Sequence, residues 1–223
     1  MPKEGMFEEL AEAVVNGDEE TAKRVAAEIA KCGADRLEVI EKYLSPAMKH
    51  VGQKFEKGEY FLTNLMLSAE AMKSATGILT ADMDKEARGK LKDETKGVVV
   101  VGTVAGDIHD IGKNILSLLL QANGFEVHDL GKDVSTMNFV EKAQEVNAGI
   151  IALSSLMTTT RPAQKDVIDL LKAMGVRNRY IVMVGGAPTT NEWAEEIGAD
   201  GWAETAEEAV RVAEASMKER SVD

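Results

Sequence analysis

VVVVGTVAGDIHDIGKN, residues 98–114, joins an apolar run to a polar loop and to the start of an amphipathic segment. The valines predict a buried strand, and Ile111, Ile115 and Leu118 are spaced as on one face of a helix. His109, between two aspartates, therefore lies in a loop that leads from a strand into a helix. In α/β folds, loops at the carboxyl ends of strands hold the ligand-binding and reactive groups.

Strands and helices continue to alternate after this loop. Strands are predicted at 98–104, 126–130, 149–156 and 180–185, and helices at 111–122, 138–146, 162–173, 192–197 and 206–218. Strands that are apolar almost throughout, separated by helices, indicate a parallel sheet covered on both faces. Right-handed crossovers make this a doubly wound, Rossmann-like α/β domain, predicted over residues 97–223.

Residues 6–80 show helical periodicity only and predict an all-α bundle, a cap domain that we place at residues 1–88. Its helices are predicted at 6–15, 19–31, 34–44, 46–57 and 62–79. Ser45-Pro46 has the pattern of a cap followed by a first-turn proline, so the chain is expected to begin a new helix there. Residues 89–96, within the charged and aromatic-free stretch 82–96, form the predicted linker.

Composition restricts the partners and the compartment. The net charge of −12 argues against nucleic acid and against an anionic membrane, because both require a basic surface. The single cysteine, Cys32, excludes an internal disulfide and suits a reducing compartment. No apolar stretch approaches the roughly 20 residues of a membrane span, and the acidic N-terminus is unlike a signal peptide. We therefore expect a cytoplasmic protein that binds neither nucleic acid nor membrane.

Three loops at the expected carboxyl edge of the sheet have unusual sequences: 106–114, the hydroxyl-rich 154–160, and 185–188 with its two glycines. The first loop lacks the glycine patterns that bind phosphates, which argues against a nucleotide. The other two histidines and the cysteine are too scattered to complete a zinc site. One histidine beside one carboxylate is typical of a single axial metal ligand that a neighbour orients. The other loops suit a large, flat, hydrogen-bonding ligand.

These motifs resemble those of a known family. Asp107-x-His109-x-x-Gly112, followed by Ser154-x-Leu156 and Gly185-Gly186, is similar to the signature of the methionine-synthase-like cobalamin-binding family. PAMKHVGQKFEKGEYFL, residues 46–62, resembles the helical cap of that family, and the resemblance extends from residue 6 to residue 218. A free-standing cap and binding domain of this size is similar to the corrinoid proteins of methyltransferase systems.

The resemblance implies that cobalamin is bound base-off and His-on. His109 would be the lower axial ligand of cobalt in place of dimethylbenzimidazole, and Asp107 would hydrogen-bond its other ring nitrogen. Thr160 would extend this relay through its hydroxyl, in a position where relatives often have serine. Gly112 would let the nucleotide tail pass close to the backbone.

The remaining residues of the implied site have less specific roles. Ser154 and Thr158 would bind the displaced base and tail, and Gly185 and Gly186 would leave room for the tail, in a pocket that Ala203 closes. The rest of the implied binding set comprises Gly106, Ile108, Asp110 and Leu156. On the fifth predicted helix, the residues expected against the upper face of the corrin are Phe61, Leu65 and Met72.

The corrinoid proteins that this chain resembles act as methyl carriers for separate methyltransferases and are not catalysts themselves. The resemblance implies that Co(I) accepts a methyl group from a substrate-specific methyltransferase, whose donor is methanol, a methylamine or a methoxylated aromatic. A second methyltransferase would pass the group from methylcobalamin to a pterin or thiol, and a reductive activase would reduce adventitiously oxidised cobalt back to the Co(I) of cob(I)alamin.

Two alternative functions stay open. One is the cobalamin-binding subunit of a radical mutase, which shares the histidine loop, and the other is a cobalamin-dependent regulator. The helical bundle ahead of the binding domain argues against a mutase, because mutases cover the upper face with a barrel. The length and the acidic charge argue against a regulator, because we expect a regulator to carry a DNA-binding output domain as well.

Overall fold

A computed structural model describes residues 2–83 and 95–220. The chain divides into a helical unit, which holds the first helices, and an α/β unit, which holds the sheet. The predicted linker at 89–96 falls mostly on residues 84–94, which lie outside the described residues. Over the described ranges, no helix combines the length and the apolarity that a membrane crossing requires.

The helical unit is built from amphipathic helices whose apolar faces pack together. Asp18 caps the second helix, because its carboxylate accepts the backbone N–H of Thr21. The helices are α1 (Pro2–Asn16), α2 (Glu19–Lys31), α3 (Arg36–Val39), α4 (Ser45–Glu56) and α5 (Leu62–Thr80). The largest side chains of the unit that are wholly buried are Leu10, Ile29, Leu44, Leu65 and Leu79.

The predicted helix at 46–57 is present as α4, but the prediction that it begins anew at a Ser45 cap is wrong. Residues Ile40–Leu44 form a turn of π-helix that joins α3 to α4, and the backbone N–H of Ser45 donates to the Ile40 carbonyl. Ser45 has helical angles, φ −63° and ψ −44°, and not the extended angles of a cap. Proline has no N–H, and its ring crowds the carbonyl four residues earlier. A widened turn accommodates the proline without breaking the helix.

The predicted ligand-facing surface of α5 is not one surface. Phe61 precedes the helix and is 72% exposed, Met72 is half-buried, and Leu65 is completely buried. Leu65 has no surface to offer a ligand, so its assignment to the upper face of the corrin is wrong. It belongs to the buried stripe of α5, which consists of Leu65, Ser68, Ala71, Ala75 and Leu79.

The α/β unit contains one sheet of five parallel strands in the order β2-β1-β3-β4-β5, which confirms the predicted doubly wound fold. The strands are β1 (Val98–Thr103), β2 (Glu126–Asp129), β3 (Ile150–Ser154), β4 (Ile181–Gly185) and β5 (Gly201–Trp202). The helices are α6 (Ile111–Ala122), α7 (Thr136–Glu145), α8 (Pro162–Ala173), α9 (Asn191–Ile197) and α10 (Ala206–Arg220). The sequence did not predict β5, since two residues are too short to show a period.

The register of the sheet brings the three unusual loops to one edge. Thr103 is paired with Ser154, and Ser154 with Gly185, so β1, β3 and β4 end at the same level. Strand order reverses between β1 and β3, and a reversal of this kind is where doubly wound domains open a ligand crevice. The loop with His109 follows β1, so the histidine lies at this switch point.

Candidate functional site

Asp107 ties the loop after β1 to the loop after β3. Its side chain is completely buried. Oδ1 accepts the backbone N–H of His109 at 3.0 Å, while Oδ2 accepts the backbone N–H of Leu156 at 2.8 Å and the hydroxyl of Thr160 at 2.7 Å. A buried carboxylate is stable only when such bonds replace its hydration. The two loops are therefore held together by one side chain.

These contacts keep Asp107 ionised. Burial is the largest influence and raises the pKa of the carboxyl group. The hydrogen bonds donated by the Thr160 hydroxyl, by the backbone N–H groups of His109 and Leu156, and by the His109 ring together outweigh it. The pKa of Asp107 consequently lies well below its ordinary value, and at neutral pH the group can only accept hydrogen bonds.

The ionised Asp107 decides the tautomer of His109. Nδ1 of the ring lies 2.8 Å from Asp107 Oδ1. Because the carboxylate has no proton to give, Nδ1 must be the donor, and the lone pair of the neutral ring is then on Nε2. The side chain is 45% exposed, and within residues 2–83 and 95–220 no hydrogen bond engages Nε2. The imidazole ring of His109 is therefore held in place by Nδ1, and Nε2 is available to bind a metal.

Exposed apolar side chains flank His109. Ile108 is 65% exposed, Ile111 73% and Leu156 47%. Large apolar side chains left at a surface mark a place where a ligand or partner binds. Ile111 was not among the predicted site residues, because its spacing grouped it with the apolar residues of α6. The signal that could have identified it is its position two residues after the histidine, in the first turn of the helix.

The glycines of the motifs serve different purposes. A Cβ at Gly112 would meet no described atom within 4 Å, and one at Gly185 would make only ordinary contact, 3.8 Å, with the Ala203 carbonyl. Room at these positions suits a group that passes close to the backbone. Gly186 is different: its φ is +111°, and a Cβ would lie 1.8 Å from the Ser155 carbonyl oxygen. The protein's own backbone therefore requires glycine at position 186 whether or not a ligand is bound, and the room predicted there for the nucleotide tail stays a prediction.

Three further predicted residues lie at the same edge without joining Asp107. Ser154 is the last residue of β3, and Thr158 is exposed in the loop that follows. Asp110 immediately precedes α6, and its carboxylate lies 4.0 Å from Lys132 Nζ. In the described part of the chain, no hydrogen bond links these three side chains to Asp107 or to His109. They surround the Asp107–His109 pair and do not orient it.

Sequence reasoning missed two hydroxyls that support the pair. Ser155 is completely buried, and its Oγ lies 2.9 Å from Thr160 Oγ1 and 3.4 Å from Asp107 Oδ2. Thr103, also buried, donates its hydroxyl to the His109 carbonyl at 2.9 Å. Ser155 could have been inferred from its position beside the Ser154 motif. The role of Thr103 depends on how the loop folds back over the strand, which no local pattern reveals.

Gln164 of α8 holds the ends of two strands in register. Its side-chain amide donates to the carbonyls of Leu153 at 3.0 Å and of Gly185 at 3.1 Å. Its oxygen accepts the indole N–H of Trp193 at 3.0 Å. The side chain is completely buried and fully bonded, so it fixes the distance between the loops after β3 and β4.

Comparison with known proteins connects this geometry to a cofactor. A family model described as a B12 binding domain matches residues 97–211, and a second model of the same description matches residues 6–80. Dimethylamine corrinoid protein 2 of Methanosarcina acetivorans is 51% identical over 210 residues, which cover 93% of this chain and 94% of that protein.

Two solved structures extend the comparison to the fold. A chain of the methanol:cobalamin methyltransferase complex MtaBC from Methanosarcina barkeri is 30% identical, with a TM-score of 0.86 over 97% of this chain and 81% of that one. A cobalamin-binding protein from Desulfitobacterium hafniense DCB-2 is 33% identical, with a TM-score of 0.64 over 94% of this chain and 97% of that one. The chain belongs to the B12-binding family of corrinoid proteins that serve methyltransferase systems.

Proposed function

We propose that this corrinoid protein is the methyl carrier of a dimethylamine-dependent methyltransferase system. The donor is inferred from the dimethylamine corrinoid protein that matches almost the whole chain at 51% identity. When bound, the corrinoid supplies a cobalt centre that takes a methyl group from a substrate-specific methyltransferase and gives it to a second one, which acts on a pterin or thiol. Family membership favours this carrier over a mutase subunit or a regulator.

The protein's own contribution begins with His109, which we propose as the lower axial ligand in place of dimethylbenzimidazole. One observation supports this most directly: the buried, ionised Asp107 holds Nδ1 at 2.8 Å and leaves Nε2 free. A hydrogen bond to a carboxylate fixes the ring and makes Nε2 a stronger donor to a metal. Thr160 restrains the carboxylate through its hydroxyl, so the relay proposed for it is compatible with the 2.7 Å contact.

The surroundings of His109 fit a corrinoid. Exposed Ile108, Ile111 and Leu156 suit contact with an apolar macrocycle, and the open space beside Gly112 suits a tail that passes the first turn of α6. We propose that Ser154 and Thr158 offer hydroxyls to the displaced base. Within residues 2–83 and 95–220, no hydrogen bond ties either hydroxyl to Asp107 or His109, which is compatible with a role in ligand binding.

The assignment of His109 as the cobalt ligand can be tested by electron paramagnetic resonance, because the nitrogen bound to cobalt(II) splits the lines of the spectrum. Protein labelled uniformly with nitrogen-15 should be loaded with unlabelled cobalamin and then reduced to cobalt(II). A protein-derived nitrogen-15 splits each line into a doublet, whereas nitrogen-14 of dimethylbenzimidazole splits it into a triplet. We expect doublets, because Nε2 is the free nitrogen of a preorganised ring.

His109→Ala should remove the doublets, and His128→Ala provides the matched control. His128 is the other histidine of the α/β unit, lies on β2, and contacts Glu126 at 2.9 Å. Triplets in the unsubstituted protein would show that the nucleotide base stays on cobalt, and the assignment of His109 would then be abandoned.

The carrier role predicts dependence on partners. Reduced holo-protein mixed with dimethylamine alone should transfer no methyl group, because a carrier accepts the group only with the help of a substrate-specific methyltransferase. Addition of a dimethylamine-specific methyltransferase should load methyl onto the cofactor, with slower loading by methanol- or monomethylamine-specific enzymes. A reductive activase should be needed for sustained turnover. Sustained demethylation by the isolated protein would contradict the carrier role.

A further inference from the structure

The loop after β2, residues 130–135, lies against the loop that contains Asp107 and His109. The Gly131 carbonyl accepts the backbone N–H of Thr103 at 3.0 Å, and the Val134 N–H donates to the Thr103 carbonyl at 3.0 Å. Val104 and Val134 form an isolated parallel bridge. The loop therefore extends the pairing of the sheet beyond the end of β1, up to the turn that precedes Asp107.

Asp133 makes two bonds to that turn. Its carboxylate accepts the backbone N–H of Gly106 at 2.7 Å, and its own N–H donates to the Asp107 carbonyl at 2.9 Å. The two bonds bracket the dipeptide Gly106-Asp107 from both ends. Gly106 has a φ of +81°, and because glycine can adopt many other backbone conformations, such contacts are needed to hold it in this one.

The backbone of Asp133 is unusual. Its φ is +52°, and over residues 2–83 and 95–220 the one other non-glycine residue with a positive φ is Asn147. Asn147 lies just after α7, where a left-handed residue normally ends a helix. Asp133 follows no helix, so helix termination does not explain its conformation. In this conformation Asp133 contacts both Gly106, through its carboxylate, and Asp107, through its backbone N–H.

We propose that Asp133 is a positioning residue, which holds the turn at Gly106-Asp107 so that the carboxylate of Asp107 can direct His109. This inference rests on the proposed ligation of cobalt by His109. The side chain of Asp107 is anchored by the loop after β3, and its backbone by Asp133. Two separate anchors determine where the carboxylate lies, and loss of either lets the histidine ring move.

The test compares Asp133→Gly, Asp133→Asn and the control Asn147→Gly in the full chain. Asp133→Gly tolerates the positive φ but has no acceptor for Gly106. Asp133→Asn tolerates the same angle and keeps an acceptor oxygen. Asn147→Gly removes a side chain from an equivalent backbone conformation outside the site. Amide exchange of Gly106 is measured on apo-protein, and the fraction of nitrogen-15 doublets on the cobalt(II) form.

We expect Asp133→Gly to speed exchange of the Gly106 amide about tenfold and to lower the doublet fraction clearly. Asp133→Asn and Asn147→Gly should match the unsubstituted protein in both readouts. Unchanged doublets in Asp133→Gly, or an equal loss in Asn147→Gly, would overturn the positioning role of Asp133 and leave the ligation by His109 intact.

If the unsubstituted protein itself gave no doublets, the proposed ligation of cobalt by His109 would fail, and the inference about Asp133 would fail with it.

Discussion

Asp107→Ala is expected to abolish corrinoid retention and to destabilise the α/β unit by about 3 kcal/mol or more. The substitution leaves the Leu156 N–H and the Thr160 hydroxyl without their buried acceptor. It also frees the His109 ring. Because both tryptophans, Trp193 and Trp202, lie in this unit, their fluorescence during urea unfolding measures its stability separately from the helical unit.

Asp107→Asn separates charge from shape. Whichever way the amide is turned, its NH₂ group faces N–H donors, either those of His109 or that of Leu156. We therefore expect a loss of about 2 kcal/mol and weak corrinoid binding even though the volume is preserved. The matched control is Asp166→Ala on the exposed surface of α8, which should change stability by less than about 0.5 kcal/mol. Equal losses in Asp107→Asn and Asp166→Ala would contradict the central role of Asp107.

The difference in stability between the unsubstituted apo-protein and Asp107→Asn should depend on pH. The folded pKa of Asp107 is lower than its unfolded value, near 3.8. Its carboxylate therefore contributes full stability above that value and loses it as pH falls towards the folded pKa. The difference should be constant above about pH 5 and shrink below about pH 4. A difference that does not shrink in acid would contradict the lowered pKa.

Gly186→Ala is expected to destabilise the α/β unit by about 4 kcal/mol or more. The new Cβ would lie 1.8 Å from the Ser155 carbonyl oxygen, which is backbone and cannot turn aside as a side chain does. The chain at the carboxyl ends of β3 and β4 must then separate, and the bond from the Ser155 N–H to the Gly185 carbonyl, 3.1 Å, is lost. The measurement is again urea unfolding followed by tryptophan fluorescence.

Gly175→Ala is the control for this experiment. Gly175 also has a positive φ, +70°, but a Cβ there would meet no described atom within 4 Å. Only the left-handed backbone opposes the substitution, which should cost about 1 kcal/mol. If the two variants lose equal stability, backbone conformation alone explains Gly186, and close approach to Ser155 does not matter.

The elements of the fold were predictable because their signals are local. The valines of β1 and the spacing of the apolar residues of α6 identify a strand and a helix without reference to the rest of the chain. Where prediction failed, the signal was weak or overridden. Two residues of β5 carry no period, and Ser45-Pro46 has the sequence of a helix start but lies within a helix that widens around the proline.

The sequence predicted which residues form the site better than it predicted what each of them contacts. Asp107 and His109 could be paired from their spacing, but the exposed surface of Ile111 and the burial of Leu65 depend on packing between helices. Gly186 was recognised as part of a motif, but the feature that requires glycine there is the close approach of the Ser155 backbone, which is distant in sequence. Patterns along the chain indicate which residues matter more reliably than they indicate what each residue touches.

By itself the sequence determined the alternation of strands and helices, the helical region ahead of it, and the histidine loop of a B12-binding family, because periodicity, caps and short motifs are properties of neighbouring residues. The family resemblance implied the bond from Thr160 to Asp107, whereas only the tertiary structure revealed that the Leu156 N–H binds the same carboxylate and that Asp133 brackets the turn before it. Those contacts join residues 26 or more positions apart, since Asp133 follows β2 and the others follow β3. They exist only once parallel pairing has aligned the ends of the strands, and no local pattern encodes that register.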